Sequence, residues 1–110
     1  MAGVFSVTES NFQDEVLESK KPVLVNFWAS WCNNCARQGP VFDQLARDIN
    51  FPVKIVKINV DENRGLAMRH HVATLPTIIL FRNGQVVVKM TGFQSQTEIE
   101  SKIASYCSET

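Results

Sequence analysis

A nearly unbroken apolar run, Val23-Leu24-Val25-Asn26-Phe27-Trp28-Ala29, leads through Ser30 and Trp31 into Cys32-Asn33-Asn34-Cys35. No other part of the chain constrains the fold so tightly. A run this apolar reads as a central strand covered on both faces, the kind found in α/β sheets. After it, Phe42, Leu45, Ala46 and Ile49 recur at i, i+3, i+4 and i+7, so a helix begins near Cys32. The cysteine pair therefore falls in a helix first turn, where residues three apart share a face and two sulfurs can bond. The same turn has unpaired N–H groups and the positive end of the helix dipole, and both favour thiolate over thiol. Cys32, at the very end, gains most and is the candidate nucleophile. Cys35, one turn inside and nearer burial, fits a resolving role. Half a zinc site has the same spacing, but there is no second cysteine pair and no correctly spaced Cys/His partner, so no metal site is expected.

The remaining chain alternates strand and helix patterns. Val4 to Val7 reads as a short strand. Thr8 or Ser10 can cap a helix running to about Ser19, with Phe12, Val16 and Leu17 on one side, ended by Lys20-Lys21-Pro22. Pro40 lies inside the redox helix and should kink it. Pro52 opens a strand through Val53, Ile55, Val56 and Ile58. Asp61 or Asn63 starts a short helix that closes near His70 and His71, where cations suit the dipole and histidine tolerates positive φ. Thr77 to Phe81 reads as a strand, and Asn83-Gly84 signals a hairpin into Gln85–Thr91. A last helix spans about Gln96 to Tyr106, with Ile99, Ile103 and Tyr106 on one face. Cys107, just beyond, reads as a loosely packed and inert thiol. The order β-α-β-α-β, then α-β-β-α, predicts an α/β fold with a mixed five-stranded sheet and helices on both faces. The cysteines then sit at the carboxyl end of a central strand, where such folds place their sites.

A chain of 110 residues without repeats or linkers is expected to be a single domain over 1–110. Its formal net charge is zero and it has no basic block, so neither nucleic acid nor an anionic membrane is an expected partner. Met1 to Ser6 lack the basic and apolar regions of a signal peptide, and no stretch approaches a membrane span. Three cysteines are too few for a disulfide scaffold. A cytoplasmic setting, where a disulfide is transient and catalytic, is the expectation.

Phe27-Trp28-Ala29-Ser30-Trp31-Cys32-x-x-Cys35, Pro40, Thr74-Leu75-Pro76-Thr77, Phe81-x-Asn83-Gly84 and Gly92 occur in an order and spacing that resemble the thioredoxin family across almost the whole chain. The resemblance implies a thioredoxin fold and a thiol–disulfide oxidoreductase that reduces protein disulfides through a Cys32–Cys35 redox-active disulfide, with no bound cofactor. It implies that Pro76 follows a cis bond and faces the cysteines, and that the Leu75 backbone pairs with an extended substrate segment. Trp31, Leu75, Pro76 and Gly92 would form the substrate-binding surface. The implied partners are disulfide-containing proteins and a reductase such as a flavin-dependent thioredoxin reductase, with ferredoxin-linked or glutathione systems as alternatives. The protein itself is expected to be a monomer.

Departures from the family pattern mark the tuning residues. Asn33-Asn34 stand where Gly-Pro is usual, and their amides can donate to a thiolate. Asn26 stands where a buried aspartate is usual; it cannot take a proton from Cys35, while the accompanying lysine remains as Lys57. Ala36 replaces a common lysine, His71 a helix-ending glycine, and Phe93 a small residue. Two other readings remain. A disulfide oxidase or isomerase usually has a histidine between its cysteines, which is absent here. A redox-inert binding module would have no need of both cysteines.

Overall fold

Five strands make one sheet: β1 (Phe5–Ser6), β2 (Val23–Trp28), β3 (Lys54–Asn59), β4 (Thr77–Arg82) and β5 (Gln85–Thr91), in the order β1-β3-β2-β4-β5. The structure, a computed structural model, describes residues 3–107. β1 and β2 pair with β3 in parallel, whereas β4 is antiparallel to both β2 and β5. The sheet is mixed, as the element order predicts. β2 lies at its centre and is buried from Val23 to Phe27, which is what its apolar run requires.

Strand alternation divides β2 between two cores. Val23, Val25 and Phe27 pack with Phe12, Val16 and Leu66 on one face. Leu24 packs with Phe42, Leu45, Ile99 and Ile103 on the other. The first face is covered by helix α2 (Arg64–Arg69) and a short π-helical turn at Gln13–Leu17, the second by α1 (Asn33–Asp48) and α3 (Gln96–Cys107). Asn26 follows Leu24 by two and so shares the α1 face. It lies in register with Lys57 of β3 and Ile78 of β4.

The N-terminal helix is much shorter than its sequence pattern implies. Thr8 and Ser10 do not cap it. The Thr8 N–H donates to Asn11 Oδ1 at 2.8 Å, and the Thr8 and Ser10 hydroxyls bond each other at 2.8 Å. These short polar side chains satisfy their own turn and delay the helix. The helix itself is reduced to one wide turn, closed by Glu18 N–H on Gln13 O at 2.9 Å, which still delivers Phe12 and Val16 to the core. Cys107 also differs from the sequence expectation. It is 2% exposed within the α1/α3 core, not loosely packed, and burial pushes its thiol up to about 11.

The connections suit the residues that make them. Asn83 and Gly84 have φ of 53° and 77°, the paired positive values of a two-residue hairpin turn. A Cβ at Gly84 would also lie 3.0 Å from Leu17 O. His71 adopts φ 55° just past α2, and Lys89 Nζ donates to the carbonyls of His70 and His71 at 3.2 and 3.1 Å. α1 continues from Asn33 to Asp48 across Pro40. No helix among the described residues is long and apolar enough to cross a membrane.

Candidate active site

β2 ends at Trp28, and the chain turns through Ala29, Ser30 and Trp31 into α1. Cys32 is the N-cap of that helix, with extended φ and ψ of −93° and 116°. Its Sγ accepts the Cys35 N–H at 3.2 Å, so the sulfur itself fills the place of the capping oxygen that most helices use. Cys32 is half-buried, whereas Cys35 is 5% exposed. The thiol of Cys35 is pushed up to about 12, first by burial and then by its hydrogen bond to Cys32. Both cysteines are free thiols, the reduced form of the pair.

Two depressions flank the pair. A groove of about 450 Å³ is lined by Trp31, Cys32, Asp61, Arg64, Met68 and Leu75. Trp31 is 68% exposed, and its Nε1 donates to Asp61 Oδ2 at 2.8 Å, which fixes the indole at the mouth of the groove. Behind the cysteines lies a cavity of about 340 Å³, lined by Asn26, Trp28, Cys32, Cys35 and Lys57. Asn26 is 3% exposed; its Oδ1 and the Trp28 Nε1 have no hydrogen-bond partner among the described residues. Lys57 Nζ sits 5.8 Å from the Trp28 ring centroid. The cavity is mostly apolar, and Asn26 Oδ1 and Trp28 Nε1 are the buried polar atoms on its lining residues that are left unpartnered among the described residues.

The Leu75–Pro76 bond is cis. Pro76 O accepts the Gly92 N–H at 2.8 Å, and Gly92 has φ 82°, so Leu75, Pro76 and Gly92 form one rim. Leu75 and Trp31 line the same groove as Cys32. Cys32, Cys35, Trp31, Leu75, Pro76 and Gly92, far apart in sequence, therefore converge at one end of the sheet, while Asn26 and Lys57 lie behind. Asn33 and Asn34 are exposed, and neither amide donates to a sulfur, contrary to what their donor groups suggest. Asn34 Oδ1 instead accepts from Arg37 Nη1 at 3.2 Å. Among the described residues no three His, Cys, Asp or Glu side chains gather as a metal site.

The chain as a whole resembles known proteins. The Thioredoxin family model matches residues 3–105. The chain belongs to the thioredoxin family. It is 44% identical over 99 residues to a thioredoxin of Chlorobaculum thiosulfatiphilum, covering 90% of this chain and 92% of that protein. It is 39% identical over 103 residues to thioredoxin 1 of Synechococcus elongatus, covering 94% and 96%. The crystal structure of Malassezia sympodialis thioredoxin superposes with a TM-score of 0.87 at 27% identity, covering 98% of this chain and 94% of that one.

In this thioredoxin-family chain one supporting residue escapes motif reading. Gln38 is fully buried on α1. Its Nε2 donates to Gln94 O at 2.9 Å, and its Oε1 accepts the Gln94 N–H at 2.8 Å. These two bonds tie the redox helix to the loop after Gly92. A signal was available: Cys35, Gln38, Phe42 and Leu45 share one helical stripe, and a polar residue on an apolar stripe needs a partner.

Proposed function

We propose that this chain reduces protein disulfides, acting as one thioredoxin-like domain in a cytoplasmic setting. Family membership supports thiol–disulfide oxidoreductase chemistry in general. The reductase reading rests chiefly on one observation: Cys32 Sγ caps the helix at the mouth of the groove, while Cys35 is buried behind it and donates its N–H to that sulfur.

The Cys32 thiolate attacks one sulfur of a substrate disulfide. That S–S bond breaks, a mixed disulfide forms, and the other substrate sulfur leaves as a thiolate that takes up a proton. Cys35 then gives up its proton, attacks Cys32 Sγ, and expels the second substrate thiolate. The substrate has gained two electrons, and the chain has gained a Cys32–Cys35 disulfide. A reductase partner returns the electrons. Trp31, Leu75, Pro76 and Gly92 hold an extended substrate segment against the groove, partly through the Leu75 backbone. The chemistry needs no bound cofactor or metal.

An insulin-reduction assay with dithiothreitol as donor tests this reading. The wild type should accelerate precipitation of the B chain. Cys32→Ser should abolish that acceleration, and Cys35→Ser should accumulate mixed disulfides on Cys32. A wild type no faster than dithiothreitol alone would overturn it in favour of a redox-inert binding module.

A further inference from the structure

The formal net charge of the chain is zero, yet the rim around the cysteines is biased. Arg37 lies two residues past the cysteine motif on α1. Its guanidinium carbon sits 4.1 Å from the Phe93 ring centroid, and its Nη1 donates to Asn34 Oδ1 at 3.2 Å. Phe93 comes directly after Gly92 in the rim that Pro76 O binds. An exposed arginine is thereby fixed at two points beside the Gly92 rim, one aromatic and one within the motif itself. Across the groove Arg64 lines the wall with Trp31 and Cys32.

Among the described residues neither arginine is neutralised by contact. The ion pair found there joins Lys54 to Glu15, remote from this rim. Neither α1 nor α2 has an acidic residue in its own first turn, although Glu9 Oε2 accepts the Leu66 N–H at 3.3 Å at the start of α2. Asp61, the carboxylate that lines the groove, accepts from the Trp31 indole. Asp61 and Glu9 offset Arg64 in part, whereas Arg37 makes no contact ion pair among the described residues.

We propose that Arg37, held by Phe93 and Asn34 and assisted by Arg64, selects substrate segments with an aspartate or glutamate next to the disulfide. This preference rests on the reductase reading and names the substrate class for that site. The physical case is preorganisation. A guanidinium stacked on a ring has already lost much of its rotamer freedom, so pairing with a carboxylate costs less order than it would on a free side chain. Stacking occupies one face of the planar group and leaves in-plane N–H groups for a forked pair with a carboxylate. The charges also steer encounter, so the preference should emerge in the rate of attack.

The test uses three peptide disulfides, identical except for Asp, Gln or Lys beside the cysteine. Second-order rates of reduction by the full chain are each divided by the rate with dithiothreitol, which removes the intrinsic reactivity of each disulfide. Neutral 2-hydroxyethyl disulfide serves as the charge-independent substrate, and insulin as the general test of reductase activity. At low salt the Asp peptide should react about 5-fold faster than the Lys peptide, with Gln between, and about 0.5 M NaCl should shrink the ratio. Arg37→Gln and Phe93→Ala should bring the ratio close to one. Arg47→Gln removes the same charge from the far end of α1 and should preserve it. A wild-type ratio near one, or a ratio that survives Arg37→Gln, overturns the proposal while leaving the reductase reading intact. Failure to reduce 2-hydroxyethyl disulfide and insulin overturns both.

Discussion

The side-chain amide of Gln38 makes both of its hydrogen bonds to the main chain of Gln94, accepting at 2.8 Å and donating at 2.9 Å. The pair is buried, so each bond replaces water that neither group can otherwise reach. It fixes the distance between the cysteine helix and the loop that carries Gly92 and Phe93.

Gln38→Ala should therefore destabilise the fold by about 2–4 kcal/mol, from two orphaned backbone groups and a small cavity. Gln38→Glu is the more diagnostic variant. Ionised, it can accept from Gln94 N–H but must face Gln94 O without a proton to donate, so its folded-state pKa should rise. The folded state then binds more protons than the unfolded state as pH climbs past about 4.3, and stability should fall through that window. Urea midpoints between pH 4 and 8 check this. A pH response identical to wild type would show that the bonds carry no weight.

Cys35 supplies a kinetic expectation. Burial, the leading reason its thiol lies near 12, persists when Cys32 is tied up in a mixed disulfide. Resolution should accordingly accelerate with pH, close to tenfold per unit, from about pH 6 to 9. Release of thionitrobenzoate from a preformed Cys32 adduct, monitored by stopped flow, measures the step directly. A flat profile would mean that another group takes the proton at every pH tested.

Asn26 lines the cavity behind Cys35, at a position for such a group, without being able to titrate. Asn26→Asp should speed adduct release at pH 7 by placing a proton acceptor in the cavity shared with Cys35. It should also lower stability by about 1–3 kcal/mol, because a carboxylate replaces an amide at a site 3% exposed. The two effects are read by stopped flow and by urea denaturation. An unchanged release rate would rule out proton access from this position.

His70 governs a separate pH response. Its ring packs at 5.4 Å from Phe12 and 5.3 Å from Phe81, and its Nε2 is buried without a hydrogen-bond partner among the described residues. Burial lowers its pKa, and the Arg69, His71 and Lys89 charges push the same way. The unfolded chain thus takes up this proton first as pH falls through about 6.5, so the stabilising contribution is full above that value and is lost below it. His70→Phe should flatten the fall in urea midpoint between pH 7.5 and 5. Equal falls in variant and wild type would assign the acid sensitivity elsewhere.

Much of this architecture is legible in the chain because its strong signals are local. The β2 run, the Asn83-Gly84 turn and the α1 stripe each specify their element through burial or φ alone, and the motif spacing ties Cys32, Cys35, Trp31, Pro76 and Gly92 to one family. The features that escape depend on contacts between distant segments. Thr8 and Ser10 fit a cap pattern equally well whether they serve a helix or their own turn. Asn34 offers donors, but Arg37 takes its acceptor. The Trp31–Asp61 and Arg37–Phe93 contacts span 30 and 56 positions, and no periodicity reports them.

The buried Cys107 gives the molecule an internal gauge of its own opening. A thiol packed at 2% exposure in the last turn of α3, against the core shared with α1, meets a bulky alkylating reagent when that end of the helix opens. Its labelling rate therefore times that local opening, in a chain whose Cys32 reacts at the surface without any opening. With Cys32 and Cys35 first blocked, mass spectrometry of the third adduct would time the opening and closing of the C-terminal end of α3 under native conditions, with no probe added to the protein.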